Sequence, residues 1–257
     1  GDDAFFASLN HYLKSNEYQI GEAHQLRLSF EKVTGKDLNW FFNQWYFGKG
    51  YPKLEVKSTF DPMKKQVTVN VAQTQEEKFE FPLSIDVLEN GKISRKEVWV
   101  TAKAKNDFVF DVTKNPELIN ANPEGLLLSD IKQDKTPEQL YLQYTTAKDL
   151  YSKYTAIEEA KDQVSKNPFA DKLYAAALKD KFYRNRLLAL EGLPEDPKSF
   201  LADVEKLAQN DEKNLVKGAA IGVLAKTKNP KYLPLFEKVI NAVSNSVKGN
   251  SLSGIAQ

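Results

Sequence analysis

Apolar residues recur at a helical spacing over the first 50 residues of the chain. Residues spaced three or four positions apart lie on one side of an α-helix, so this spacing predicts two amphipathic helices. The apolar sides are Phe6, Leu9 and Leu13 in the first helix, and Ala23, Leu26, Phe30 and Val33 in the second. Gly35 follows the second helix and is a suitable end for it, because glycine adopts the left-handed conformation found after many helices.

The stretch "VTGKDLNWFFNQWYFGKGYPKLEV" predicts a third helix, with Asp37 as its N-cap and with Pro52 preventing its continuation. Its apolar residues recur at i, i+3, i+4 and i+7, the spacing of a helix side that faces a protein core: Leu38, Phe41, Phe42 and Trp45. A platform of exposed rings that stacks on bases or sugars is the alternative, which this spacing disfavours. Three short helices hardly cover so many rings. We therefore expect a part of the protein outside this chain to pack on Trp40–Phe47, and Phe41, Phe42 and Trp45 to be partly uncovered here.

The apolar spacing changes to two between about residues 52 and 131, which predicts half-buried strands. Asn90-Gly91, within "FPLSIDVLENGKISRKEVWVT", predicts a type I′ hairpin because both residues tolerate positive φ. Shorter strands at "DFVFDV", "ELINA" and "GLLLSD" bring the predicted number to about seven. Short strands with frequent turns are typical of a small antiparallel β-sandwich.

A helical spacing returns at Thr136 and continues to the end of the chain. "NLVKGAAIGVLAK" (214–226) and "NSVKGNSLSGIAQ" (245–257) match at an offset of 31 residues, with Gly218 opposite Gly249. Repeated helix pairs of about 30 to 45 residues predict an all-α HEAT-like or armadillo-like superhelical domain. Because the last unit would leave an apolar side uncovered, we expect the protein to continue beyond Gln257.

These changes of spacing predict three domains: residues 1–50, helices that end a larger domain; 51–133, a β-sandwich; and 134–257, a helical repeat domain that is truncated. The chain opens with "GDDAFF" and no methionine, so we expect it to be excised from a longer protein.

Composition excludes several classes of partner. The chain has 36 Lys and Arg residues against 35 Asp and Glu, so its net charge is +1. A charge this small does not attract nucleic acid or an anionic membrane. Only four residues are arginines, which disfavours phosphate binding. There are no cysteines, which excludes disulfides and thiolate zinc sites but leaves the compartment open between cytoplasm and periplasm. No apolar stretch approaches the roughly 20 residues of a membrane span.

Candidate catalytic groups are few. His11 and His24 are the only histidines, and neither belongs to an H-E-x-x-H or another ligand-spaced motif. The adjacent pairs Glu76-Glu77 and Glu158-Glu159 are expected to be solvated, because neighbouring side chains diverge on a helix or strand. We predict no catalytic or metal-binding residue in this chain. Arg184 and Arg186 are the candidate substrate-binding residues, since either could hold a peptide carboxylate from a cleft; the alternative is a surface role.

The first 50 or so residues resemble the end of the catalytic domain of M1-family zinc aminopeptidases, the gluzincins. In that family a helix pair leads to a V-[ST]-G-x-D-L-x-x-F-F-x-Q-W segment, then to G-x-P and a strand. The matching residues here are Val33, Thr34, Gly35, Asp37, Leu38, Phe41, Phe42, Gln44, Trp45, Gly50, Pro52 and Leu54. A β-sandwich followed by a helical repeat domain is also the order found in the larger enzymes of the family.

The resemblance implies the C-terminal part of a zinc-dependent aminopeptidase that removes N-terminal residues from peptides. Residues 1–50 would be the helical tail of a thermolysin-like catalytic domain whose missing part packs on Trp40–Phe47, and the helical domain would shape access to the active site. The family's H-E-x-x-H helix, its distal zinc-binding Glu, the G-x-M-E-N motif and the catalytic Tyr all precede this segment. The fragment is therefore expected to bind no zinc and to cleave no peptide. The alternative is a non-catalytic scaffold of the same architecture whose helical repeats bind protein partners.

Overall fold

A computed structural model describes residues 1–256 of the 257-residue chain. Its N-terminal helices are α1 (Asp2–Ser15), α2 (Ala23–Thr34) and α3 (Asn39–Trp45). The sheet region follows, with β1 (Lys53–Asp61), β2 (Gln66–Gln73), β3 (Phe81–Glu89), β4 (Lys92–Val100), β5 (Lys105–Asp111), β6 (Leu118–Ala121) and β7 (Asp130–Lys132). The helical region contains α4 (Pro137–Thr146), α5 (Leu150–Ala160), α6 (Pro168–Ala177), α7 (Tyr183–Glu191), α8 (Leu201–Asn210), α9 (Asn214–Lys226), α10 (Leu233–Val239) and α11 (Asn245–Ile255).

Local sequence signals account for the ends of the N-terminal helices. Glu22 and Gln25 form a reciprocal capping box at the start of α2, and Gly35 ends it with a φ of 68°, as predicted. Asp37 precedes α3, and its Oδ1 accepts a hydrogen bond from the backbone N–H of Asn39 at 2.8 Å. That bond, together with one from the Asn39 side chain, lowers the pKa of Asp37. The predicted N-cap was wrong by one position: Leu38 is the N-cap of α3, no side chain caps the helix, and Asp37 instead holds the turn before it through its bonds to Asn39.

The sheet region consists of two sheets with strand orders β5-β2-β1-β7 and β4-β3-β6. The predicted hairpin between β3 and β4 is confirmed, with φ of 53° at Asn90 and 70° at Gly91. Alternate residues of facing strands form one apolar core between the sheets, contributed by Val56, Val67, Val69 and Val71 on one side and Phe81, Leu83, Ile85 and Ile119 on the other. Helices followed by sheets and then by further helices are thus confirmed as the order of the fold.

Two details of the predicted strands were wrong. "GLLLSD" is mostly a loop, because Asn122 exchanges hydrogen bonds with the backbone of Leu127 and holds a turn there, and the final strand is Asp130–Lys132. Leu126 and Leu128 in that loop are exposed. Moreover, β7 pairs with β1 in parallel, so the predicted all-antiparallel sandwich is instead a mixed four-stranded sheet beside an antiparallel three-stranded sheet.

The helical region has its own apolar core, which extends from α4 to α11. Capping explains several of its helix starts: Thr136 forms a capping box with Gln139, and Asp149 accepts a hydrogen bond from the backbone N–H of Ser152. None of the helices within residues 1–256 is both long enough and apolar enough to cross a bilayer.

Glycine lets α9 and α11 approach closely. A Cβ added at Gly218 would lie 2.8 Å from Oγ of Ser246 and 3.1 Å from the Ser246 backbone carbon. Gly249, which the sequence comparison aligns with Gly218, has no other group within 4 Å of the same added atom. The two glycines occupy matching positions in their helices, but α11 packs closely against Gly218 and nothing packs against Gly249.

This difference predicts opposite effects on stability. Gly249→Ala is expected to raise the free energy of unfolding by about 0.5–1 kcal/mol, because alanine is the better helix former and nothing obstructs its methyl group. Gly218→Ala gains the same propensity but must displace the backbone at Ser246, which costs about 1–3 kcal/mol. Urea unfolding of both variants measures the difference. Equal effects would contradict the close packing at Gly218.

Candidate functional site

Helix α3 is attached to the sheet region by a pair of amide hydrogen bonds. Gln44 Nε2 donates to the carbonyl oxygen of Glu80 at 2.9 Å, and the Glu80 N–H donates to Gln44 Oε1 at 2.8 Å. Gln73 fixes the preceding residue in the same way, because its amide group bonds both the N–H and the carbonyl of Phe79. These two glutamines determine where α3 lies relative to the sheets.

Aromatic contacts add to this attachment. The Trp40 ring meets Trp99 of β4 edge to face at 5.2 Å between centroids, and the Trp45 ring lies 5.2 Å from that of Phe79. Phe42 is only 5% exposed, so the expectation that it would be partly uncovered was wrong. Trp45 is half-buried against the core between the sheets, so the expectation that it would be partly uncovered is confirmed.

Other apolar side chains of the N-terminal helices are exposed. Phe41 is 42% exposed on α3, and the rest include Phe6, Leu13, Leu28, Tyr46 and Phe47. Soluble monomers rarely leave so many large apolar side chains in water, and such surfaces mark sites of protein interaction. Helix α3 therefore buries one side on the sheet region, and the three N-terminal helices leave apolar side chains available for a partner.

The histidines do not form a metal centre. His11 Nδ1 lies 3.1 Å from Ser29 Oγ between α1 and α2, while the exposed His24 ring stacks at 4.9 Å on Phe47. Across residues 1–256, no group of three or more His, Asp or Glu side chains lies close enough to hold a metal ion.

The two candidate arginines occupy different environments on α7. Arg186 is buried, and its Nε and Nη2 donate to the two carboxylate oxygens of Asp211 at 2.7 and 2.9 Å. Its Nη1 donates to the carbonyl oxygens of Asp180 and Lys181, so all three guanidinium nitrogens already donate hydrogen bonds within the chain. Arg184 is exposed beside Tyr183 and borders a cavity of about 330 Å³ lined by the side chains of Leu150, Tyr151, Tyr154 and Phe182. A peptide-binding role for either residue stays a prediction.

A buried carboxylate between α6 and α7 was not predicted from the sequence. Asp180 Oδ2 accepts hydrogen bonds from the Tyr144 hydroxyl at 2.6 Å and from Lys153 Nζ at 2.9 Å, and Oδ1 accepts one from the Phe182 N–H at 2.8 Å. Burial alone would raise the pKa of Asp180, but these bonds outweigh burial and lower it to about 2. Its partners come from sites up to 36 residues away, which no local motif reveals.

This cluster predicts a defined dependence of stability on pH. Because the pKa of Asp180 is lower in the folded chain, its contribution is present above the unfolded pKa of 3.8 and is lost as the pH falls through about 2. Asp180→Asn should lower the free energy of unfolding by about 2 kcal/mol at pH 7, and by much less near pH 2. Urea titrations at both pH values measure this. Asp134→Asn, at an exposed position, is the control, and a constant deficit at all pH values would contradict the assignment.

A buried lysine, Lys135, joins the helical region to the sheet region and pairs with a carboxylate that is 42% exposed. Lys135 Nζ lies 3.8 Å from Glu159 and donates to Asn120 Oδ1 at 3.1 Å. Burial lowers the pKa of Lys135 and raises that of Glu159. The sequence predicted solvated faces for Glu158-Glu159, and both residues are exposed as expected. The contact of Glu159 with a lysine 24 positions earlier in the chain was not predicted.

The comparison with known proteins rests on structure. No protein-family model matches the sequence, and no match exists among curated proteins. The whole chain superposes on part of the crystal structure of Legionella pneumophila aminopeptidase A in complex with aspartic acid, with a TM-score of 0.76 and 16% sequence identity. The fold is that of part of an aminopeptidase. The chain spans 37% of the length of that protein, and an aminopeptidase-like partial fold agrees with the family that the segment around Trp45 resembles.

Proposed function

We propose that this chain is the C-terminal part of a zinc-dependent aminopeptidase that removes N-terminal residues from peptides. The observation that carries the proposal is the superposition of the entire chain on an aminopeptidase that is longer than this chain, together with the uncovered apolar side chains of α1 to α3. The resemblance of the Val33–Leu54 segment to M1-family enzymes supports the same function from sequence.

Within such an enzyme the residues of this chain have supporting roles. Residues 1–50 would end the catalytic domain, with Phe41 and Phe47 packing against its remaining part, and 51–133 would form the β-sandwich. The catalytic zinc, its ligands and the general base would come from the preceding part, where zinc activates a water for attack on the scissile carbonyl. The present residues position the two regions relative to each other through Gln44 and Glu80.

Residues 134–257 would form a HEAT-like domain that limits access to the active site. Two observations support a repeat: α9 and α11 begin 31 residues apart, at Asn214 and Asn245, and Gly249 offers α11 the open surface that Gly218 uses on α9. Arg184 would bind the carboxylate of a peptide, with the aromatic side chains beside it contacting the peptide's side chains.

A non-catalytic scaffold is the second candidate, because the same architecture presents surfaces for protein partners. The exposed Leu150, Tyr151 and Tyr154 on α5 favour it, since they would suit a protein segment as well as a peptide substrate. The two candidates differ in one sequence feature, an upstream H-E-x-x-H motif.

The deciding experiment compares this chain with the longer protein that contains it. The purified chain, mixed with zinc and an aminoacyl-anilide, should show no turnover, whereas the longer protein should be active and should lose activity with a chelator. An inactive longer protein that lacks H-E-x-x-H would favour the scaffold. Stoichiometric zinc with turnover in the present chain would overturn the proposal.

A further inference from the structure

A cavity of about 300 Å³ lies between the three-stranded sheet and the turn that joins α4 to α5. The register of the sheet determines its floor. Leu88 pairs with Ile93 and with Leu118, while Asp86 pairs with Arg95 and with Asn120. Residues two apart on a strand share a face, so the floor has an apolar end and a polar end side by side.

The polar end carries surplus negative charge. Asp86 binds Arg95 through both carboxylate oxygens, at 2.8 Å to Nε and 3.0 Å to Nη2, and Glu124 binds the Nη1 of the same arginine. These bonds raise the pKa of Arg95 above its ordinary value, so its charge is fixed. Two carboxylates share one guanidinium, which leaves one negative charge uncompensated at this end of the cavity.

The opposite wall carries Lys148 and Asp149 of the α4–α5 turn, and Asp149 is engaged as the N-cap of α5, where its Oδ1 accepts a hydrogen bond from the Ser152 N–H. Lys148, in the α4–α5 turn, is exposed and forms no ion pair within residues 1–256. Gln143 also lines the cavity and is 1% exposed, and within the same residues its Oε1 accepts no hydrogen bond. Its Nε2 is engaged by Ser152 and Thr155, so the amide orientation is fixed. Buried polar groups in native proteins normally have partners, so this acceptor is an exception in the wall behind Lys148.

We propose that this cavity binds a free α-amino acid with an aliphatic side chain. The ammonium group pairs with the surplus charge of Asp86 and Glu124. The carboxylate pairs with Lys148, and the side chain packs on Ile93, the exposed member of the apolar end, which Leu88 and Leu118 support from below. A cavity of this size is at the lower limit of those that bind small molecules, which suits an amino acid rather than a long peptide.

Calorimetric titration of the chain with L-leucine tests the proposal, and two analogues separate its parts. Leucinamide lacks the carboxylate and 4-methylpentanoate lacks the ammonium group. Saturable binding of leucine, with both analogues at least about tenfold weaker, is the expected result, because each loses one charge-assisted contact. No heat change up to about 10 mM leucine, or equal binding of either analogue, would overturn the assignment.

Lys148→Gln provides the matched variant, since an exposed turn residue can be replaced without loss of the fold. We expect its affinity for leucine to fall at least about tenfold while its affinity for leucinamide is unchanged. Lys226→Gln, another exposed lysine and one remote from the cavity lining, is the control and should bind leucine as the native chain does. Equal binding by Lys148→Gln and the native chain would show that the cavity does not use this charge, which would refute the proposed site.

Discussion

Arg186→Met is expected to lower the free energy of unfolding by about 3–5 kcal/mol, the largest effect of any single substitution considered for this chain. The side chains of Arg186 and Asp211 are 9% and 3% exposed and are joined by two hydrogen bonds. Removing the guanidinium leaves a buried carboxylate without its countercharge, together with two backbone carbonyls that lose their donor. Urea unfolding at pH 7 measures the loss.

Arg184→Met on the same helix is the matched control for this experiment. Arg184 is exposed and contacts the Tyr183 ring, so its replacement should change stability by no more than about 0.5 kcal/mol. In the longer protein, the same variant tests the peptide-binding role by raising KM. If Arg186→Met destabilised the chain no more than Arg184→Met does, the result would contradict the buried pair and would favour the surface role for Arg186.

Ile85→Ala is expected to cost about 2–5 kcal/mol, because it leaves a cavity in the core between the two sheets. Ile85 is fully buried and points inward from β3, between neighbours that alternate towards the opposite face. Thermal and urea unfolding should both report the loss.

Ile93→Ala is the control, because its side chain lies on the opposite face of the same sheet. Ile93 lies on the same hairpin but is 41% exposed on the outer face of the sheet, so its truncation should cost less than about 1 kcal/mol. A loss as large as that of Ile85→Ala would mean that the outer face of this sheet is packed as tightly as the inner one.

The proposed function and the proposed amino-acid site depend on different features of the molecule. The function rests on the superposition and on the uncovered side chains of the N-terminal helices, whereas the site rests on Asp86, Glu124 and Lys148. A scaffold without peptidase activity could still bind leucine at this cavity. Conversely, an active aminopeptidase with no leucine binding would leave the proposed function intact.

The sequence by itself determined the local elements. The end of α2 at Gly35 and the hairpin at Asn90-Gly91 depend on φ preferences of single residues, so they can be predicted from a few residues. The start of α3 was predicted only to within a residue, because its N-cap is Leu38 rather than Asp37. The order of helices, strands and helices follows in the same way, because apolar spacing reports which side of each element is buried.

Only the tertiary structure decided which distant residues meet. The parallel pairing of β7 with β1 joins segments more than 70 residues apart, and Asp180 and Asp211 acquire their partners from other helices. The sequence selected Arg184 and Arg186 together, but two residues apart they lie on opposite sides of one helix, so one of them meets a buried carboxylate and the other solvent. A charged group's role depends on burial and on its countercharge, and both are properties of the packed chain rather than of its local sequence.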